Sequence, residues 1–122
     1  MSDTTTTWVE NYRKAWLSND EADIRALFTD DAVYEFRPHD PKPWTGVDAI
    51  VSGWLAHPDA PGDTTFEWHP LATEGSTSIV QAVVVYDNRT DRSAYDNLWV
   101  ITFEPDGRAS HFTEWYMERK AD

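Results

Sequence analysis

The stretch that most constrains this chain is its C-terminal end, Ala94 to Met117, which reads AYDNLWVITFEPDGRASHFTEWYM. Two runs rich in β-branched and aromatic residues, Asn97 to Phe103 and Ala109 to Met117, flank Pro105-Asp106-Gly107, where proline fixes φ and glycine tolerates the left-handed region. That pattern predicts a β-hairpin. An even-length loop, the expected form, sets Asn97, Trp99, Ile101 and Phe103 on one face with Tyr116, Glu114, Phe112 and Ser110 opposite them. A three-residue loop with a bulge would instead turn every side chain of the second arm over. With the even loop the shared face is aromatic apart from Asn97 and Glu114. A carboxylate among Trp99, Phe112 and Tyr116 either finds a partner or takes up a proton, so Asn97 and Glu114 are the leading candidate site. The alternatives are a buried structural hydrogen bond, or a slipped register that leaves Glu114 in solvent.

A chain of 122 residues fits one domain, residues 1–122, and is long enough to bury a core without disulfides or metals. Seven Trp, five Tyr and five Phe are many for that length, and rings of this size fill a core or line a ligand cavity. With 22 acidic residues against 10 basic ones, the net charge of −12 repels a nucleic-acid backbone or an anionic bilayer, so neither partner is expected. The absence of cysteine removes disulfides and thiolate chemistry. The opening MSDTTTT has neither a basic region nor an apolar run, and no stretch reaches the length of a membrane span; a soluble, cytoplasmic protein is expected.

Along the chain, Thr7 and Glu10 make a capping box before Trp8, Tyr12, Ala15 and Trp16, which predicts a helix from about Trp8 to Leu17 with an aromatic stripe. Glu21 and Asp23 open a second helix whose apolar residues are Ile24, Leu27 and Phe28. Ala32 to Arg37 alternates as a strand with Tyr34 and Phe36 inward, and the proline-rich Pro38 to Trp44 is an irregular rim loop. A third helix, capped near Asp48, carries Val47, Ile50, Val51, Trp54 and Leu55 on one face and ends at His57-Pro58. After the loop Pro58 to Asp63 come strands Thr64 to Thr73 and Thr77 to Tyr86, the second apolar enough for a central strand covered on both faces. Asp87 to Arg92 is a polar connection to the hairpin. The order is α-α-β-α-β-β-β-β, an α+β domain whose mostly antiparallel sheet has its helices on one face.

In that order and at that length, Leu27-Phe28-Thr29-Asp30-Asp31-Ala32-Val33-Tyr34, Trp44-Thr45-Gly46-Val47-Asp48-Ala49-Ile50, Asp106-Gly107-Arg108 and Phe112-Thr113-Glu114-Trp115 resemble the nuclear transport factor 2-like superfamily. Within it they resemble the SnoaL-like polyketide cyclases. The resemblance spans nearly the whole chain and implies a cone-shaped, strongly curved sheet wrapped around the N-terminal helices, with a deep apolar pocket. Relatives of that kind include ketosteroid isomerases, epoxide hydrolases, dehydratases, cyclases and non-catalytic binders. Glu114 matches the carboxylate that limonene-epoxide hydrolases carry on the last strand, and Tyr34 matches their pocket tyrosine. The chain departs from the hydrolase pattern at Phe36, where an asparagine is needed, and at Ala82 to Val85, where an arginine and an aspartate are.

Three readings stay open on this sequence. One is a cofactor-independent isomerase, dehydratase or cyclase with Glu114 as acid or base, Asn97 and Tyr34 orienting the substrate, and Tyr12, Trp16, Phe36, Trp54, Trp99, Phe112 and Tyr116 binding a small apolar or aromatic molecule. A second is a binder of such a molecule without turnover. The third is an assembly domain whose cavity is filled by Trp16, Trp54, Trp68 and Trp99. His39, His57, His69 and His111 lack metal-binding spacing, no serine sits in a nucleophile-elbow motif, and no glycine-rich phosphate loop occurs; neither a metal nor a cofactor is expected. On the far face of the hairpin, Leu98, Val100, Thr113 and Trp115 make an apolar patch beside His111, which predicts a homodimer packed through the outer face of the sheet.

Overall fold

The hairpin folds with its arms in the expected register, by a route the turn residues alone do not reveal. In the computed structural model, which describes residues 3–56, 64–86 and 94–118, the arms are β5 (Ala94–Phe103) and β6 (Ala109–Glu118). Asn97 opposes Tyr116, Trp99 opposes Glu114 and Ile101 opposes Phe112. The loop holds an odd number of residues, Glu104 to Arg108, closed by Gly107 N–H to Glu104 O (2.9 Å) and Glu104 N–H to Arg108 O (2.9 Å), with Gly107 at φ +88°. Phe103 therefore opposes Ala109 and not Ser110, and the register shifts before Thr102 pairs with His111. The bulge offsets the odd loop by one residue, so the two cancel and the pleat beyond them is that of an even loop.

The other elements are α1 (Asp3–Ser18), α2 (Glu21–Arg25), β1 (Phe28–Glu35), β2 (Trp44–Thr45), α3 (Val47–Ala56), β3 (Thr64–Glu74) and β4 (Thr77–Tyr86). Six strands form one open sheet in the order β2-β1-β6-β5-β4-β3, antiparallel throughout except for the β1–β6 pair. This is the expected α+β class with one strand more. The extra strand is β2, which pairs Trp44 with Tyr34 and Thr45 with Val33, so Trp44 belongs to the sheet edge and not to an irregular loop.

Three other expectations are corrected. Helix α1 starts five residues before Trp8 and takes Thr7 into its interior, so the capping box does not cap it. Buried Thr5 explains the extension, since its hydroxyl meets that of Ser78 on β4 at 2.7 Å and a tertiary contact outweighs the weak helix propensity of threonine. Helix α2 stops at Arg25, and Phe28, expected on it, is the first residue of β1. The Leu27-Phe28 pair is buried by the strand instead: Leu27 O accepts from Ala109 N–H (2.8 Å) and from the Trp8 indole N–H (2.9 Å). Strand β4 is buried on the inner face at Val80, Ala82 and Val84 but only half-buried at Ile79, Val83 and Val85 and exposed at Gln81, so its outer face is not covered.

Helix α3 begins where expected, but Gly46, at φ +88°, supplies the carbonyl that accepts its first hydrogen bond from Ile50 N–H (3.1 Å); Asp48 lies in the first turn and pairs with Arg25 at 2.8 Å. Pro70 lies inside β3 beside an irregularity in the pairing of this edge strand with β4, the setting in which a strand tolerates proline. The expected loops Pro58 to Asp63 and Asp87 to Arg92, and the helix end at His57-Pro58, lie outside the described residues.

The core lies between the inner face of the sheet and α1. Trp8, Val9, Tyr12 and Ala15 present one buried face of that helix, and Phe28, Trp99, Ile101 and Phe112 present the sheet's. Trp8 packs on Phe112 at 5.3 Å between ring centroids and edge-on to Phe28 at 5.8 Å, within the range where aromatic pairs attract.

Candidate functional site

Parallel pairing of β1 with β6 sets Tyr34 beside Phe112 and so brings it onto the same inner face as Glu114, two residues further along β6. The Tyr34 hydroxyl donates to Glu114 Oε1 at 2.7 Å, the short distance of a hydrogen bond to a charged acceptor. Behind it, the Tyr12 hydroxyl from α1 lies 3.3 Å from the Tyr34 hydroxyl. Since the Tyr34 proton is directed to Glu114, its oxygen is left to accept from Tyr12, giving a chain Tyr12 to Tyr34 to Glu114. Burial, then the negative charge of Glu114, pushes the Tyr34 phenol well above its usual value. Tyr34 is a donor that keeps its proton.

These groups open onto a cavity of about 400 Å³, within the size range of small-molecule sites. It is lined by every residue expected at the site, namely Tyr12, Trp16, Tyr34, Phe36, Trp54, Asn97, Trp99, Glu114 and Tyr116, with the exception of Phe112. Phe112 is fully buried behind the wall, 4.8 Å from the Tyr34 ring and 5.7 Å from the Tyr12 ring, and holds both in place. Asn97 is 5 % exposed, and its side-chain amide donates to Tyr95 O at 3.3 Å. Tyr12 is the hub of the aromatic wall, with Trp99 at 5.0 Å, Trp54 at 5.3 Å and Trp16 at 6.3 Å. Trp68 is not part of the lining; its indole N–H donates to Glu10 on α1 at 3.0 Å. Trp16, Trp54 and Trp99 line the space without filling it.

Four lining residues were not anticipated: Trp44, Gly53, Val84 and Tyr95. Trp44 packs against Tyr34 at 5.0 Å and edge-on to Phe36 at 4.8 Å, and its indole lies flat on α3 at Gly53. A Cβ built on Gly53 would stand 2.3 Å from Trp44 Cε2 and 2.5 Å from Cζ2, far inside contact distance. A glycine within an apolar helix is a sign of close approach, and that was the available signal. Tyr95 meets Tyr116 at 6.1 Å, and Tyr116 is 48 % exposed.

On the outer face, Trp115 is exposed, as expected, while Thr113 is buried and donates to Glu35 Oε1 at 3.0 Å. His111 Nε2 lies 2.8 Å from the same oxygen. Thr113 is therefore not part of an exposed apolar patch. Among the described residues no group of three His, Asp or Glu side chains converges as metal ligands would, and no helix is long and apolar enough to cross a membrane.

Known structures share this architecture. A LEH-like epoxide hydrolase of M. tuberculosis superposes with a TM-score of 0.66 at 18% identity, over 91% of this chain and 76% of that one. A ketosteroid isomerase-like protein from Erwinia carotovora atroseptica gives a TM-score of 0.66 at 16% identity, over 92% of each chain. A putative polyketide cyclase from Sinorhizobium meliloti gives 0.63 at 22% identity, over 93% of this chain and 99% of that one. At such identities the likeness establishes the fold and not the reaction. No curated protein matches the sequence. The family model for the SnoaL-like domain matches residues 9–112, from the buried face of α1 to the centre of β6, and the chain belongs to that family.

Proposed function

We propose that the chain binds a small apolar or aromatic molecule in this cavity and moves a proton on it without a cofactor, as in isomerisation, dehydration or cyclisation, with Glu114 as the proton-transferring group. The observation that carries this reading is the Tyr12–Tyr34–Glu114 chain ending in a cavity walled by rings. With Tyr34 as fixed donor, Glu114 is the acceptor of the pair, the role of a base poised to take a proton from carbon. The rings supply an apolar surface for the substrate's body, and Asn97 offers an amide to orient a polar group of it. Epoxide hydrolysis is disfavoured, because Phe36 and Ala82 to Val85 stand where the similar hydrolases carry polar and charged groups.

Binding without turnover is the second reading. It is favoured by a lining in which, among the described residues, no acid besides the phenols accompanies Glu114. We also propose a homodimer formed through the outer face of the sheet, supported by exposed Trp115 beside half-buried Leu98 and Val100.

Glu114→Gln distinguishes the two readings. The variant keeps the cavity and, on the proton-transfer reading, retains its substrate through purification as a low-mass species in native mass spectrometry. Wild-type protein then converts the extracted molecule at constant mass or with loss of water. Recovery of the molecule unaltered after incubation with wild type leaves a binder.

A further inference from the structure

We infer that the molecule this cavity takes carries a hydroxyl group at one end of a ring-sized apolar body, and that this hydroxyl donates to Asn97 Oδ1. The inference rests on the cavity being the ligand site, as proposed above, and names the polar group that its ligand bears. Asn97 lines the cavity from the inner face of β5 and is 5 % exposed. Its side-chain nitrogen donates to Tyr95 O at 3.3 Å. A backbone carbonyl only accepts, so the amide is held with its NH2 towards Tyr95 and its oxygen turned away from it. Among the described residues this is the one hydrogen bond of the Asn97 side chain, and no donor meets Oδ1. That oxygen is not sealed inside the core, and the open space beside its side chain is the cavity.

An acceptor so placed, on a side chain otherwise shut off from solvent, sets a requirement on whatever displaces water from the cavity. A ligand that is wholly apolar, or that offers only an acceptor, leaves Oδ1 without a donor, whereas a hydroxyl restores the bond that water made. The protein does not supply the donor from beside it: Ala82, opposite Asn97 on β4, has no polar side-chain atom, and the Tyr34 hydroxyl is committed to Glu114. The sheet also fixes where the hydroxyl sits relative to Glu114. Glu114 opposes Trp99, so Asn97 and Glu114 are diagonal neighbours on one face, which in an antiparallel pair is a separation of about 7 Å. A single ring with its substituents spans that gap. The hydroxyl is then the anchor at one end, and the atom that exchanges a proton with Glu114 lies at the other.

Three ligands substituted at the same ring position test this by calorimetry at neutral pH on the full chain: naphthol, methylnaphthalene, which keeps the shape without a polar hydrogen, and methoxynaphthalene, which keeps the oxygen and loses the hydrogen. Naphthol is expected to bind about tenfold tighter than either, the size of one hydrogen bond to an otherwise unpaired acceptor. In Asn97→Val, a substitution suited to a strand, that ratio should fall to near one. A crystal structure of the wild type with naphthol needs no variant, and should place the ligand oxygen within hydrogen-bonding distance of Asn97 Oδ1. An unchanged ratio in Asn97→Val, or a ligand oxygen bound elsewhere in the cavity, overturns the inference. If methylnaphthalene or methoxynaphthalene binds the wild type as tightly as naphthol, the ligand site stands and the hydroxyl requirement does not. If none of the three binds, the ligand-site reading fails and takes this inference with it.

Discussion

Tyr34 joins the core to the candidate chemistry. Its ring is packed by Phe112 and Trp44, and its hydroxyl is committed to Glu114. Burial and the Glu114 charge raise its folded-state pKa above the usual 10.0, so the protonated phenol is favoured in the native state. The stabilisation this implies is complete below pH 10.0, the value in the unfolded chain, and is lost as pH rises from there through the higher folded value. Wild-type protein should accordingly lose stability towards alkaline pH more steeply than Tyr34→Phe, in denaturant melts taken across that window. Phenolate absorbance should show at least one tyrosine in the wild type that ionises only as the chain unfolds. Parallel alkaline profiles for the two proteins would contradict the assignment.

At the scale of elements, α3 and β2 set the cavity wall through a contact made possible by a missing side chain. In Gly53→Ala the new methyl group meets the Trp44 indole, and overpacking of this kind costs about 1–3 kcal/mol, against about 1 kcal/mol gained from alanine's helix propensity. The substitution should destabilise the wild-type background and shrink the cavity. In a Trp44→Ala background the same substitution should stabilise by about 1 kcal/mol, because only the propensity remains. A double-mutant cycle by chemical denaturation reads that change of sign, and the same effect in both backgrounds would deny the contact.

Such a contact also marks the limit of what the residues alone disclose. Alternation along both hairpin arms was sufficient to place Asn97, Trp99 and Glu114 on one face, because an outer face carrying His111 and Thr113 cannot exchange with an inner one carrying Phe112. The odd loop and the bulge that offsets it were not legible, since both are backbone features with no side-chain pattern of their own. Phe28 was placed on a helix because a two-residue apolar run satisfies either period, and only the pairing with Ala109 decides for the strand. Trp44 against Gly53 was invisible for a different reason: its partners are joined by tertiary packing, and one of them acts by having no side chain.

At the scale of the whole molecule, the exposed part of the outer sheet face is what supports the proposed homodimer. The chain carries −12 overall, yet Trp115 is 45 % exposed, on an outer sheet face with half-buried Leu98, Val100 and Val83. An apolar patch on so acidic a protein is best covered by an identical patch related by a two-fold axis, which requires no complementary charge. Sedimentation equilibrium at micromolar concentration should give twice the 14.0 kDa chain mass, and Trp115→Lys should return the protein to a monomer without unfolding it. A single species of chain mass in the wild type would contradict the dimer.

On the proposed reading Glu114 acts as a base in an aromatic-lined cavity. Nitrobenzisoxazole tests it most directly, since removal of its ring C–H by a base breaks the N–O bond and releases a coloured phenolate, with no other group required. Wild-type protein should open the ring faster than acetate at equal carboxylate concentration, and Glu114→Gln, still folded by circular dichroism, should lose about 10²–10⁴-fold of that rate, the usual contribution of a positioned general base. Equal rates in wild type and Glu114→Gln would contradict the claim.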